Sequence, residues 1–107
     1  MNFLTKATFT TIVTALTITA AYAGTRDPGV NERQARQHHR IAEGVKSGEL
    51  THSEAKYLRT EQRAIKAEEA EFKSDGKLTR GERRELHRDL NEASRDIYRE
   101  KHDADKR

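Results

Sequence analysis

The sequence predicts an all-α fold, a three-helix up-down-up bundle of two successive helical hairpins that follows a cleaved signal peptide. Three observations carry this. A corner pattern, Gly-x-Leu-Thr-x-x-Glu-x-x-x-Leu, runs from Gly48 to Leu58 and again from Gly76 to Leu86. Apolar residues recur at helical spacing on either side of both corners. No run alternates apolar and polar residues as a half-buried strand would.

The elements follow in order. Residues 1–23 read as a signal peptide: a start charged only at Lys6, an uncharged stretch from Ala7 to Ala20, and Ala21-Tyr22-Ala23 as the small-x-small cleavage pattern. The stretch is too short, and too rich in Thr, for the ~20 strongly apolar residues of a membrane span. Cleavage, a periplasmic or secreted location and no membrane anchor afterwards are therefore expected. No Cys follows the apolar stretch, which excludes lipoprotein attachment. Residues 24–30, with Asp27-Pro28-Gly29, read as an extended leader that turns. The helical domain is expected over residues 31–103, and residues 104–107 are expected to fray.

Within the helical domain, Asn31 is the expected N-cap of a first helix reaching about Lys46. His38, Ile41, Ala42 and Val45 form its stripe, and Gly44 weakens its last turn by ~1 kcal/mol relative to Ala. The second helix begins after Thr51 and reaches about Lys73. Its seam is Leu58, Ile65 and Phe72, with Ala55 and Gln62 half a heptad away. The third begins after Thr79, reaches about Lys101, and carries Leu86, Leu90, Ala93 and Ile97 on one face. At the corners Gly48 and Gly76 supply a positive φ, and Leu50 and Leu78 point inward. Thr51 with Glu54, and Thr79 with Glu82, form capping boxes.

The apolar core is thin. From Gly24 onward there are 11 Leu, Ile, Val and Phe among 84 residues, below the ~20 % at which disorder competes with folding. Charge favours folding instead: 20 basic and 18 acidic residues, interspersed, leave this segment a net +2. Helical pairs such as Glu32–Arg36 and Glu69–Lys73 each contribute ~0.2–0.5 kcal/mol. Cysteine is absent, so no disulfide compensates for the thin core, and a cysteine-free exported protein fits the bacterial periplasm.

Chemistry is sparsely signalled. The corners resemble the back half of an EF-hand loop, in which Gly stands at position 6 and a bidentate Glu at position 12. With Gly76 at position 6, the candidate calcium ligands are Glu71, Asp75, Thr79 and Glu82, but Lys73 puts a cation at position 3. The first corner fits less well, with Glu43, Val45 and Ser47 in the front half. The capping boxes account for both corners without a metal. His38, His39, His52, His87 and His102 show no metal-ligand spacing and read as solvated. Arg33, Arg36 and Arg40, and Arg80, Arg83, Arg84 and Arg88, read as solvated basic faces rather than a nucleic-acid surface. Acid pairs abound, as on any helices this charged, and single out no site. The nucleophile, phosphate-loop and zinc-hydrolase motifs are missing, so the chain is expected not to be an enzyme.

Arg26-Asp27-Pro28-Gly29-Val30-Asn31, the corners Ser47 to Thr51 and Asp75 to Thr79, and Ile97-Tyr98-x-x-Lys101-His102 resemble a family of small, uncharacterised exported proteobacterial helical proteins. That family carries EF-hand-like (S/D)GxLTxxE repeats. The resemblance implies a helical periplasmic protein and implies no activity. A looser similarity is to periplasmic stress chaperones with Leu-Thr-x-x-Gln repeats, where this chain has Glu54 and Glu82. The expected function is non-enzymatic: surface binding of a protein partner or self-association, in an envelope-stress setting. The alternative is weak divalent-cation (calcium) binding at the Asp75–Glu82 corner.

Overall fold

Pro28 starts the first helix. It stands at the first helical position, where its fixed φ suits the helix and its missing N–H costs nothing. In the computed structural model, which describes residues 24–103, three helices follow one another: α1 (Pro28–Ser47), α2 (His52–Lys73) and α3 (Arg80–His102). The expected signal peptide and the last four residues lie outside the described residues. No strand occurs among the described residues, and no helix there is long and apolar enough to cross a membrane.

The start of α1 corrects two expectations. Asn31 is not the N-cap: it already donates to the Asp27 carbonyl (3.1 Å), and Asp27 holds the cap position. Residues 28–30 are helix rather than leader, and Val30, 1 % exposed, is core. Only residues 24–27 remain outside the helix, opening with a turn at Gly24 and Thr25, and they are strapped to the second corner. Leu78 N–H donates to Gly24 O (3.2 Å), Arg83 to Arg26 O (2.6 Å) and Lys73 to Asp27 Oδ1 (2.9 Å).

The two corners form as their residues dictate. Gly48 and Gly76 have φ of 82° and 83°, a conformation that costs a side-chain-bearing residue ~1–2 kcal/mol. Thr51 Oγ1 accepts from Glu54 N–H (3.2 Å), and Glu54 Oε1 accepts from Thr51 N–H (2.9 Å). Thr79 and Glu82 repeat this at 3.1 and 2.8 Å. Leu50 and Leu78 are both buried. The corners differ in what holds the leucine amide. Leu50 N–H turns back to Gly44 O (3.0 Å), whereas Leu78 N–H reaches the strap.

Cross-links between helices give the topology. Gln34–Glu69 and Gln37–Gln62 run in opposite senses along α1 and α2. Arg33–His87 and Arg40–Ser94 run in the same sense along α1 and α3. This is the up-down-up bundle, with every helix packed on the other two.

The core has two apolar clusters. Val30, Ile65, Leu78, Leu86, Leu90 and Ala93 fill the end near the strap, with Phe72 at its edge. Ile41, Leu50, Ala55, Leu58 and Ile97 fill the other, with Val45 at its edge. Between them lies a glutamine layer in which Gln62 donates to Gln37 Oε1 (2.7 Å) and Gln37 donates to Leu90 O (2.8 Å). The stripes expected for α2 and α3 are the buried ones. The α1 stripe is so only in part: Ile41 is core and Val45 lies at its edge, but His38 and Ala42 are exposed, and Val30, Gln34, Gln37 and Gly44 complete the inward face. Polar glutamines in core positions disguise that face.

Candidate functional site

The second corner is the first place to look for chemistry, and its oxygens are engaged. Thr79 Oγ1 and Glu82 Oε1 serve the capping box. Asp75 Oδ1 accepts from Lys77 N–H (3.0 Å), closing a short Asx turn. Glu71 lies on the last turn of α2, exposed, with its carbonyl taken by Ser74. The structure therefore brings Thr79 and Glu82 together as a cap, while Asp75 and Glu71 serve separate turns. Lys73 leaves the corner altogether and bridges Asp27 and Glu69 (2.9 and 3.0 Å).

That bridge belongs to a buried network at the strap. Asp27 and Glu69 are 3 % and 2 % exposed. Burial raises the Asp27 carboxyl, and a hydrogen bond with Glu69 raises it further. Burial also pushes Glu69 up, but the bonds from Asp27 and Lys73 and the charges of Lys66 and Lys73 outweigh it and hold Glu69 at about 2. Burial thus favours the neutral form of Asp27, while Lys73 and Lys66 favour the charged form of Glu69.

The histidines are more varied than solvated. His38, His39 and His52 are exposed. His87 is half-buried, and Arg33 Nη1 sits 3.1 Å from its Nδ1. Since a guanidinium only donates, Nδ1 is the acceptor and the proton lies on Nε2. His102 stacks on Tyr98 with ring centroids 3.7 Å apart, and its Nδ1 meets Tyr98 O at 2.7 Å. Arg33 and Arg40 are likewise bound, to Asn91 (2.6 Å) and Ser94 (2.8 Å), so they act as clamps between α1 and α3.

The most unusual arrangement is between α2 and α3, where carboxylates face carboxylates in three rungs. Glu68 meets Asp89, Glu61 meets Asp96, and Glu54 meets Glu100 and Asp103. In the last rung one oxygen from each of the three residues lies within 4.8 Å of the others. Burial, then the hydrogen bond and charge of Asp96, push Glu61 up to about 8. The hydrogen bond to Asp89, then burial, push Glu68 up to about 7. Burial and the charges of Glu54 and Asp103 raise Glu100. Glu61 Oε1 and Glu68 Oε1 are buried and face no donor among the described residues, so a shared proton closes each rung. A groove of about 220 Å³, floored by Ile65 and walled by Glu61, Glu68, Asp89 and Glu92, runs along the middle.

Sequence reasoning missed this seam, although a signal existed. Glu54, Glu61 and Glu68 recur every seven residues on α2, as do Asp89, Asp96 and Asp103 at the far end. An antiparallel pairing of the two helices brings the rungs into register.

Beside the seam, α3 carries an opposite array. Each of Asp89, Asp96 and Asp103 is preceded by a basic residue: Arg88, Arg95 and His102. Neighbours on a helix point about 100° apart, so Arg88, Arg95 and His102 form an exposed ridge while the acids turn toward α2. An open depression of about 600 Å³ lies on the ridge's flank, lined by Arg40, Arg95, Tyr98, Arg99 and His102 among others. Tyr98 is 60 % exposed there, and Tyr57, 55 % exposed, lies over the Glu61–Asp96 rung, whose charges raise its hydroxyl.

Comparison with protein-family models, with curated proteins and with solved structures found no match.

Proposed function

We propose that this chain is a non-enzymatic, exported helical protein that works through its charged surface, holding a protein partner or another copy of itself in the periplasm. The observation that supports this is the segregation of charge on α3, with a carboxylate seam on one side and an arginine ridge on another. Such segregation steers and registers an ionic partner. The buried ionisable groups support a non-catalytic role, since Asp27, Glu69 and Lys73 are consumed by one another inside the fold. The periplasmic location rests on the sequence of residues 1–23, and envelope stress is the setting the chaperone-like repeats imply. Nucleic acid has no place in this reading, and neither does a membrane anchor after cleavage.

The test is capture from periplasmic extract by the tethered protein, with a tethered Glu61→Gln/Glu68→Gln/Arg88→Gln/Arg95→Gln variant as control. Retention of a specific protein that about 1 M salt releases, and that the variant does not hold, supports the reading. Identical retention by both forms would sink it.

A further inference from the structure

Three dyads, Arg88-Asp89, Arg95-Asp96 and His102-Asp103, repeat every seven residues along α3. Seven residues is two helical turns, about 10.5 Å of rise. The cation ridge therefore has the same rung spacing as the acid seam, over the same number of rungs. The two arrays lie on adjacent faces of α3, about 100° apart.

We propose that the carboxylate seam between α2 and α3 is a docking groove for the Arg88–Arg95–His102 ridge of a second copy of this chain. Charge complementarity and matched spacing choose this occupant. A ridge shifted by one rung still makes two pairs, and one in full register makes three. The pairing deepens the surface-binding reading above and rests on it for its importance, but not for its test.

Two further observations fit this occupant. Glu61 faces Asp96 and Glu68 faces Asp89 along the groove, and a guanidinium fork is the donor that meets two carboxyls at once. Tyr57, exposed, stands at the Glu61–Asp96 rung, so a ridge docked there meets an aromatic face beside the acids. Exposed tyrosines at the edge of charged arrays are typical binding anchors. Each docked copy brings both a groove and a ridge, so the contact is either returned by the neighbour in a two-fold pair or passed on head to tail.

Sedimentation of the purified protein tests this. At about 0.01 M salt, where screening reaches about 30 Å, the mass should climb with concentration to two chains or more. At about 1 M salt, where it falls to about 3 Å, the mass should return to the monomer. Glu61→Gln/Glu68→Gln/Asp89→Asn/Asp96→Asn, which removes the charge of both rungs, and Arg88→Gln/Arg95→Gln, which removes the ridge charge, should each sediment as monomers. Mixed together, they should form a complex of two chains, because the first keeps a ridge and the second a groove. Circular dichroism establishes that both variants are folded, and replacing paired carboxylates with amides removes repulsion rather than a partner. A wild-type protein that stays monomeric at low salt overturns the proposal. So does association that either variant retains, or that mixing fails to restore. A monomeric wild type that still captures a salt-released partner from extract would leave the broader reading standing and remove only this occupant.

Discussion

Gly44 shows how a single residue can carry a meaning opposite to its propensity. Within a helix Gly is worse than Ala by ~1 kcal/mol, and by that measure Gly44→Ala should stabilise α1. The structure reverses the sign. A Cβ at residue 44 would meet Leu50 Cδ1 at 2.6 Å and Cγ at 2.7 Å, and Leu50 is anchored by its own amide on the Gly44 carbonyl. Gly44→Ala should therefore destabilise the fold by about 1–3 kcal/mol, the cost of overpacking a filled site. Urea unfolding followed by circular dichroism measures it, and a midpoint equal to or above the parent's would show that Leu50 moves aside freely. The spacing of residues could not reveal this, because Gly44 and Leu50 meet only once the first corner has closed. Gly48, Gly76 and the two Thr-x-x-Glu boxes were legible for the contrary reason: their partners lie within four residues.

At the scale of elements, the α2–α3 pair is built with a defect in its seam. Glu61 faces Asp96 and Glu92 on α3, with Arg99 and Tyr57 nearby; Glu68 faces Asp89 and Glu85, with Glu71 on its own helix. Folding holds these carboxyls at about 8 and about 7, above the ~4.3 of an unperturbed Glu. The folded state thus binds protons that the unfolded state has released. Stability is full below the unperturbed value and declines as pH rises through 7 and 8. Asp27 is raised and adds to that trend, while Glu69, held near 2, matters only in strong acid. The melting temperature should fall steadily from about pH 5 to about pH 9. Glu61→Gln/Glu68→Gln should flatten the fall and melt higher than the parent at the alkaline end. A parent profile without slope would mean that the rungs splay apart at no cost. The corners give a second element-scale expectation. With Thr79 Oγ1 and Glu82 Oε1 committed to the cap, calorimetric titration at millimolar calcium should give a flat trace, below even the weakest extracellular calcium modules. Heat that Glu82→Gln abolishes would restore calcium to that corner. The stripes of α2 and α3 could be read from sequence because Leu and Ile mark them. The α1 stripe could be read only in part, since Gln34 and Gln37 occupy core positions and left His38 and Ala42 on the apparent face. The acid seam could not, because pairs across two helices exist only once the register is known.

For the whole molecule, Lys73 is the residue on which the strap, α1 and α2 all depend. It neutralises two buried carboxyls that belong to different parts of the chain, Asp27 of the strap and Glu69 of α2. Lys73→Met leaves Asp27 without a cation and Glu69 with only the exposed Lys66 (3.4 Å), and should cost about 3–5 kcal/mol, a large share of the ~5–15 kcal/mol that a folded domain commands. Thermal unfolding should show the loss, and an unchanged melt would mean that Lys66 and the strap's backbone bonds suffice. The strap has another consequence, concerning where the chain enters and leaves. Gly24 is fastened beside Leu78 at the second corner, while Lys101 pairs with Glu49 (3.7 Å) at the first. An odd number of helices separates these points, so they lie a full helix apart: 23 residues of α3 at about 1.5 Å each, or about 34 Å. The bundle is thereby a strut, and a load between residues 24 and 103 would run along its axis. Rejoining those two points in a circular permutant would take at least ten extended residues, at about 3.4 Å each, where a two- or four-helix bundle would need only a short turn.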